Sequence, residues 1–109
     1  MSEATQSCSA SATVQTAHAS RYLQQVCKHW THNLEVAFTP EHGKIVFPKD
    51  ARGANHPGDG LVTFDAGTQG LSVRIDATSA EQLEGLKGAV ARHLDRFAFR
   101  EAPLAFDWQ

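Results

Sequence analysis

One short segment limits the possible folds of this chain more than any other. Leu71–Ala77 (LSVRIDA) alternates without a break, with Leu71, Val73, Ile75 and Ala77 apolar and Ser72, Arg74 and Asp76 polar. Strand side chains point to opposite faces with a period of two, so this is a strand with one buried and one wet face. That pattern belongs to an antiparallel sheet covered on one side only. Something else in the chain must supply the cover.

Two segments have the spacing to do so. Thr78-Ser79-Ala80-Glu81 reads as a capping box, with the Thr78 hydroxyl as the cap and Glu81 reaching back. Leu83, Leu86, Val90, Leu94 and Phe97 then recur on one stripe at helical spacing. Gly85 and Gly88 fall on the outer face, and Pro103 bars continuation. Earlier, Ala17–Thr31 places Tyr22, Leu23, Val26, Cys27 and Trp30 on one stripe, with Arg21, Gln24 and Lys28 opposite. Asn33 is the stop signal.

The remaining strands follow from alternation and turn chemistry. Ser11–Thr16 is a first short strand. Leu34–Thr39 and Lys44–Phe47 form a hairpin across Pro40-Glu41-His42-Gly43, where Gly43 is expected to supply a positive φ. Leu61–Ala66 pairs with Leu71–Ala77 across Gly67–Gly70. Pro48–Gly60 is a polar loop, long for a compact domain. Leu104, Phe106 and Trp108 alternate, which predicts a last strand. Residues 1–10 are small and polar and are expected to form a disordered tail ahead of one domain over 11–109. The predicted class is α+β with the order β-α-β-β-β-β-α-β, a curved antiparallel sheet with both helices on one face. That order is similar to TATA-binding-protein-like and helix-grip folds, a likeness that carries no function.

Composition excludes several functions. A net charge of −2 over 109 residues gives no bulk attraction to phosphate backbones. No apolar run reaches the roughly 20 residues that a membrane span needs. The first residues carry neither a basic nor an apolar leader segment, and the two cysteines, Cys8 and Cys27, are no disulfide framework. These features predict a cytoplasmic protein, monomeric or homodimeric, without nucleic-acid or membrane partners. GxSxG, HExxH, CxxC and phosphate-loop patterns are all missing from the sequence.

Chemistry-bearing residues concentrate elsewhere. Six histidines are many for this length. His18, His29 and His32 run down one flank of the first helical stripe, and His29 and His32 are surface neighbours. His93 edges the second stripe and is expected to approach His29, where paired imidazoles could take a metal. The ordinary alternative is packing. Arg96 and Arg100, four apart, would clamp a carboxylate or phosphate if the helix persists, or else pair with Asp95 and Glu101. The candidate ligand-binding residues are therefore His29, His32, His93, Arg96 and Glu101, with no catalytic residue and no cofactor assigned.

Three blocks carry a resemblance. Tyr22-Leu23 with Cys27-Lys28-His29-Trp30 and His32, then Gly43-Lys44-Ile45 with Phe47-Pro48, then His93-Leu94 with Arg96-Phe97-Ala98, Glu101, Leu104, Phe106 and Trp108, together resemble the bacterial domain-of-unknown-function 2218 family (DUF2218) from about Ala12 to Gln109. The Pro48–Gly60 loop departs from it. The resemblance implies a role beside iron uptake, because some members are fused to siderophore-interacting ferric reductases. On that footing the expected function is a non-enzymatic accessory or binding domain in iron or siderophore metabolism. Its partner would be such a reductase or a small acidic or metal-chelate ligand. The alternatives are a small metal-dependent or acid/base enzyme using His29 and His93, and a sheet-edge interaction module.

Overall fold

A computed structural model of the chain describes residues 8–50, 53 and 55–109. Residues 1–7 of the tail predicted over residues 1–10 lie outside them. Strand β1 spans Cys8–Gln15, helix α1 Ala19–Thr31, β2 Glu35–Phe38, β3 His42–Phe47, β4 Gly60–Ala66, β5 Gly70–Ala77, and helix α2 Ala80–Phe97. The fold is α+β. All strands join one five-stranded antiparallel sheet in the order β1-β5-β4-β3-β2. β2 to β5 form a meander, and α1 carries the chain from the β1 edge across to the β2 edge.

The alternation of β5 is realised residue by residue. Leu71, Val73, Ile75 and Ala77 are buried, while Ser72 and Arg74 are exposed and Asp76 is half-buried. The same face continues in Ile45, Val62 and Phe64, all fully buried. Both helices cover that face: α1 packs on β2 to β5, α2 on β1, β4 and β5, and the helices touch each other. One core joins Leu23, Val26 and Trp30 of α1, Leu86, Val90 and Leu94 of α2, and these strand residues. Burying each large apolar side chain contributes about 1.5–3 kcal/mol.

Four details depart from the sequence reading. First, β1 begins at Cys8, three residues early, because Cys8↔Ala77 through Ala10↔Ile75 extend its ladder with β5. Second, the α2 cap is shifted by one residue. Ser79 is the N-cap and its hydroxyl accepts from the Gln82 backbone N–H. Gln82, not Glu81, reaches back, and its Oε1 accepts from the Thr78 N–H and hydroxyl, both at 2.7 Å.

Third, Gly43 lies within β3 and does not take the positive φ expected of a turn glycine. Its role is close approach. A Cβ there would stand 2.7 Å from Cys27 Sγ, so glycine lets α1 sit down on β3. Fourth, the last strand does not form. The Leu104 N–H donates to Asp95 Oδ1 at 2.9 Å, and Pro103 has no N–H to offer a ladder. Contact with the β1 edge narrows to one reciprocal pair, Ser11 with Gln109. The apolar alternation survives as packing: Leu104 is buried, and Phe106 stacks on Trp108 with ring centroids 5.5 Å apart.

Candidate functional site

The helix pair brings His29 and His93 together, as their stripes imply. Their ring centroids lie 5.1 Å apart. Trp30 completes the cluster, 4.4 Å from the His93 ring and 5.1 Å from Phe47 on β3. Phe97 stands edge-on to His29 at 5.9 Å. Trp30 is buried by the stripe that folds α1, while His29 and His93 sit at its half-buried rim.

The two imidazoles are set up differently. His93 Nδ1 donates to the Ala89 carbonyl at 2.7 Å, one helical turn back. That bond fixes the tautomer and leaves Nε2 as the unprotonated nitrogen of the neutral ring. His29 is held below the ordinary imidazole pKa of 6.5, first by burial, then by the charges of His93, Arg96 and His32. It is therefore neutral at physiological pH.

The rings open onto a cleft of about 590 Å³. Trp30, Phe47 and Leu86 form apolar walls, and Arg92, His56 and Asp50 stand among its polar linings. The Pro48–Gly60 loop is tied down at its far end by Gln82, whose Nε2 donates to the Gly58 carbonyl at 2.9 Å. Two imidazoles are the metal-capable donors at the centre. Among the described residues no group of three or more His, Cys, Asp or Glu side chains is placed to hold a metal ion.

The other candidate residues separate. His32 is the exposed C-cap of α1 and lines neither the cleft nor the second pocket described below; it touches the cluster only through its charge on His29. Arg96 likewise acts on His29 by charge. The expected Arg96–Arg100 clamp is not built, because α2 ends at Phe97 and Arg100 turns to a different pocket. Glu101 lies in that second pocket too, together with His18. Its Oε2 accepts from the Tyr22 hydroxyl and, at 3.0 Å, from Thr16 Oγ1. The flank is thus split: His18 lines the second pocket, His29 lines the cleft, and His32 lines neither.

Trp30 and Tyr22 were legible only as core. A signal for Tyr22 does exist: a phenol on a buried stripe must find a polar partner for its hydroxyl. Cys27 is inert, its thiol pushed up to about 11 by burial.

A family model described as "Uncharacterized protein conserved in bacteria (DUF2218)" matches residues 11–109. The chain belongs to the DUF2218 family. The NMR structure of PA4090 from Pseudomonas aeruginosa is similar, with 30% sequence identity and a TM-score of 0.70 over 93% of this chain and 94% of that one. No curated protein matches the chain. No helix among the described residues is long and apolar enough to cross a membrane.

Proposed function

We propose that this DUF2218 domain is a non-enzymatic binding module whose ligand is a compact, planar, negatively charged molecule seated in the His29–Trp30–His93 cleft. The observation that carries this reading is the three-ring cluster at the mouth of an aromatic-walled cleft, with Arg92 and Arg96 beside it. Flat ligands gain from aromatic walls, and guanidinium groups suit carboxylate or phenolate oxygens.

The iron and siderophore setting implied by the family resemblance supplies one source of such a group: each catecholate arm of a ferric siderophore is a flat, anionic ring that fits the cleft while the octahedral iron centre stays outside it. A chelate brings its own donors to the metal, so two imidazoles without a third ligand among the described residues are compatible with recognising it. A siderophore-interacting reductase is the corresponding partner, and the cytoplasm the corresponding compartment. Titration of the protein with the gallium(III) form of a catecholate siderophore, a diamagnetic stand-in for the ferric chelate, followed by amide NMR, tests the reading. Saturable shifts at His29, Trp30 and His93 are expected. Absence of binding by the catecholate siderophore in its metal-loaded and metal-free forms, together with normal growth of a deletion strain under iron limitation, overturns it.

One observation favours a second reading, acid/base catalysis. His93 has a fixed tautomer with Nε2 free, beside a His29 kept neutral. Against it, among the described residues the one partner bonded to His93 is a backbone carbonyl, not the carboxylate that orients and charges a strong general base.

A further inference from the structure

At the other end of α1 a separate pocket of about 530 Å³ opens between the first turns of the helix and residues 97–101. Among the described residues it shares no lining residue with the imidazole cleft. Glu101 is fixed in it by Tyr22 and Thr16, and both bonds use Oε2. Oε1 has no hydrogen-bond partner among the described residues. Arg21 and Arg100 line the same pocket, yet neither forms an ion pair with Glu101 or with any other described acidic side chain. The Arg100 guanidinium lies 5.7 Å from the Phe99 ring centroid. Phe99 is 70% exposed, the one large hydrophobic side chain left so open among the described residues.

Each feature alone is ordinary for a surface, where arginines often stand unpaired. Their convergence in one cavity is not. The pocket holds a positioned carboxylate with a free oxygen, two guanidinium groups that do not neutralise it, and an aromatic wall made by Phe97 and Phe99. A plain anion would be repelled by Glu101, and a plain amine by the arginines. A zwitterion satisfies both.

We propose that this pocket binds a free α-amino acid with an apolar side chain. The ammonium group donates to Glu101 Oε1, the carboxylate is taken by Arg21 and Arg100, and the side chain lies against Phe97 and Phe99. Carboxylate–ammonium and guanidinium–carboxylate hydrogen bonds are the strong, charge-assisted kind, and the planar fork suits the second.

The test is an amide NMR titration of the full chain with L-phenylalanine, with 3-phenylpropionate and 2-phenylethylamine as the ligands lacking one charge. Saturable shifts are expected at Tyr22 and Phe97–Glu101, with both controls weaker by about tenfold or more. Glu101→Gln and Arg100→Gln should each weaken L-phenylalanine by about tenfold. Arg100 is exposed and lies outside the helices, so its variant decides the matter if Glu101→Gln fails to fold. No saturable shift, equal binding of either control, or shifts confined to His29 and His93 overturns the proposal. The last outcome would instead favour the cleft, so the two sites fail separately.

Discussion

At the C-terminal end of α1, His29 and Trp30 meet His93 across the helix pair; at its N-terminal end, Tyr22 meets Glu101 from the segment after α2. One helix builds both sites by opposite means. The first end uses burial to keep an ionisable ring uncharged. The second uses hydrogen bonds to keep a carboxylate charged: the Tyr22 hydroxyl, more than any other group, holds Glu101 below the usual carboxylate value of 4.5. The same bond pushes the Tyr22 phenol up from 10.0. The lesson is that one apolar stripe can carry two unlike sites, depending on what faces each end.

The largest effect that separates them is on stability. Trp30 belongs both to the core and to the cleft wall. Trp30→Ala should lower the unfolding free energy by about 3–5 kcal/mol, as large-to-small aromatic core changes do. Urea denaturation followed by circular dichroism measures it. A loss as small as that of a surface substitution would show that the ring cluster is an appendage and not part of the core.

The Tyr22 end should respond more weakly, and with a pH signature. Tyr22→Phe keeps the buried ring and removes one hydrogen bond, so the expected loss near neutral pH is about 0.5–1.5 kcal/mol. The sign with pH is fixed by Glu101. Its folded pKa is depressed, so its stabilising contribution is present above about 4.5 and is lost as pH falls through the lower folded value. The wild type and Tyr22→Phe should therefore converge in stability on acidification below that window. A gap that stays constant down to strongly acid pH would mean that the hydroxyl does not act through the ionised Glu101.

Why the chain revealed the first end and not the second follows from these contacts. His29 and His93 were legible because each belongs to a helical stripe, and a sheet covered on one face forces two stripes to lie side by side. The same logic carried β2 to β5, since alternation and turn residues are local signals. Glu101 was picked for its charge, but its partners Tyr22 and Thr16 lie 79 and 85 residues away in the chain. No periodicity reports a contact across that separation. The last strand misled for a related reason. Leu104, Phe106 and Trp108 alternate because Leu104 packs into the core and Phe106 stacks on Trp108, and apolar packing leaves the same alternation as a ladder does. The side chain of Asp95, capturing the Leu104 N–H, and Pro103, which has no N–H for a ladder, distinguish the two.

The smallest effect sharpens the first end. The His29 titration, followed by the proton resonances of its ring, should have a midpoint below 6.5. Burial is the leading cause, and the neighbouring charges of His93, Arg96 and His32 follow in that order. Like charges nearby disfavour the protonated ring, so removing one must raise the midpoint. His93→Gln should raise it most, Arg96→Gln less and His32→Gln least, and none should restore 6.5 while the ring stays buried. Because the folded ring resists protonation, the unfolded chain binds more protons as pH falls below 6.5, and the domain loses stability there. This loss begins about two pH units above that of the Glu101 end, as the ordinary values 6.5 and 4.5 require. If His32→Gln moved the midpoint more than His93→Gln, the 5.1 Å approach of the two rings would not be what governs His29, and the cleft would have to be rebuilt around the exposed end of α1.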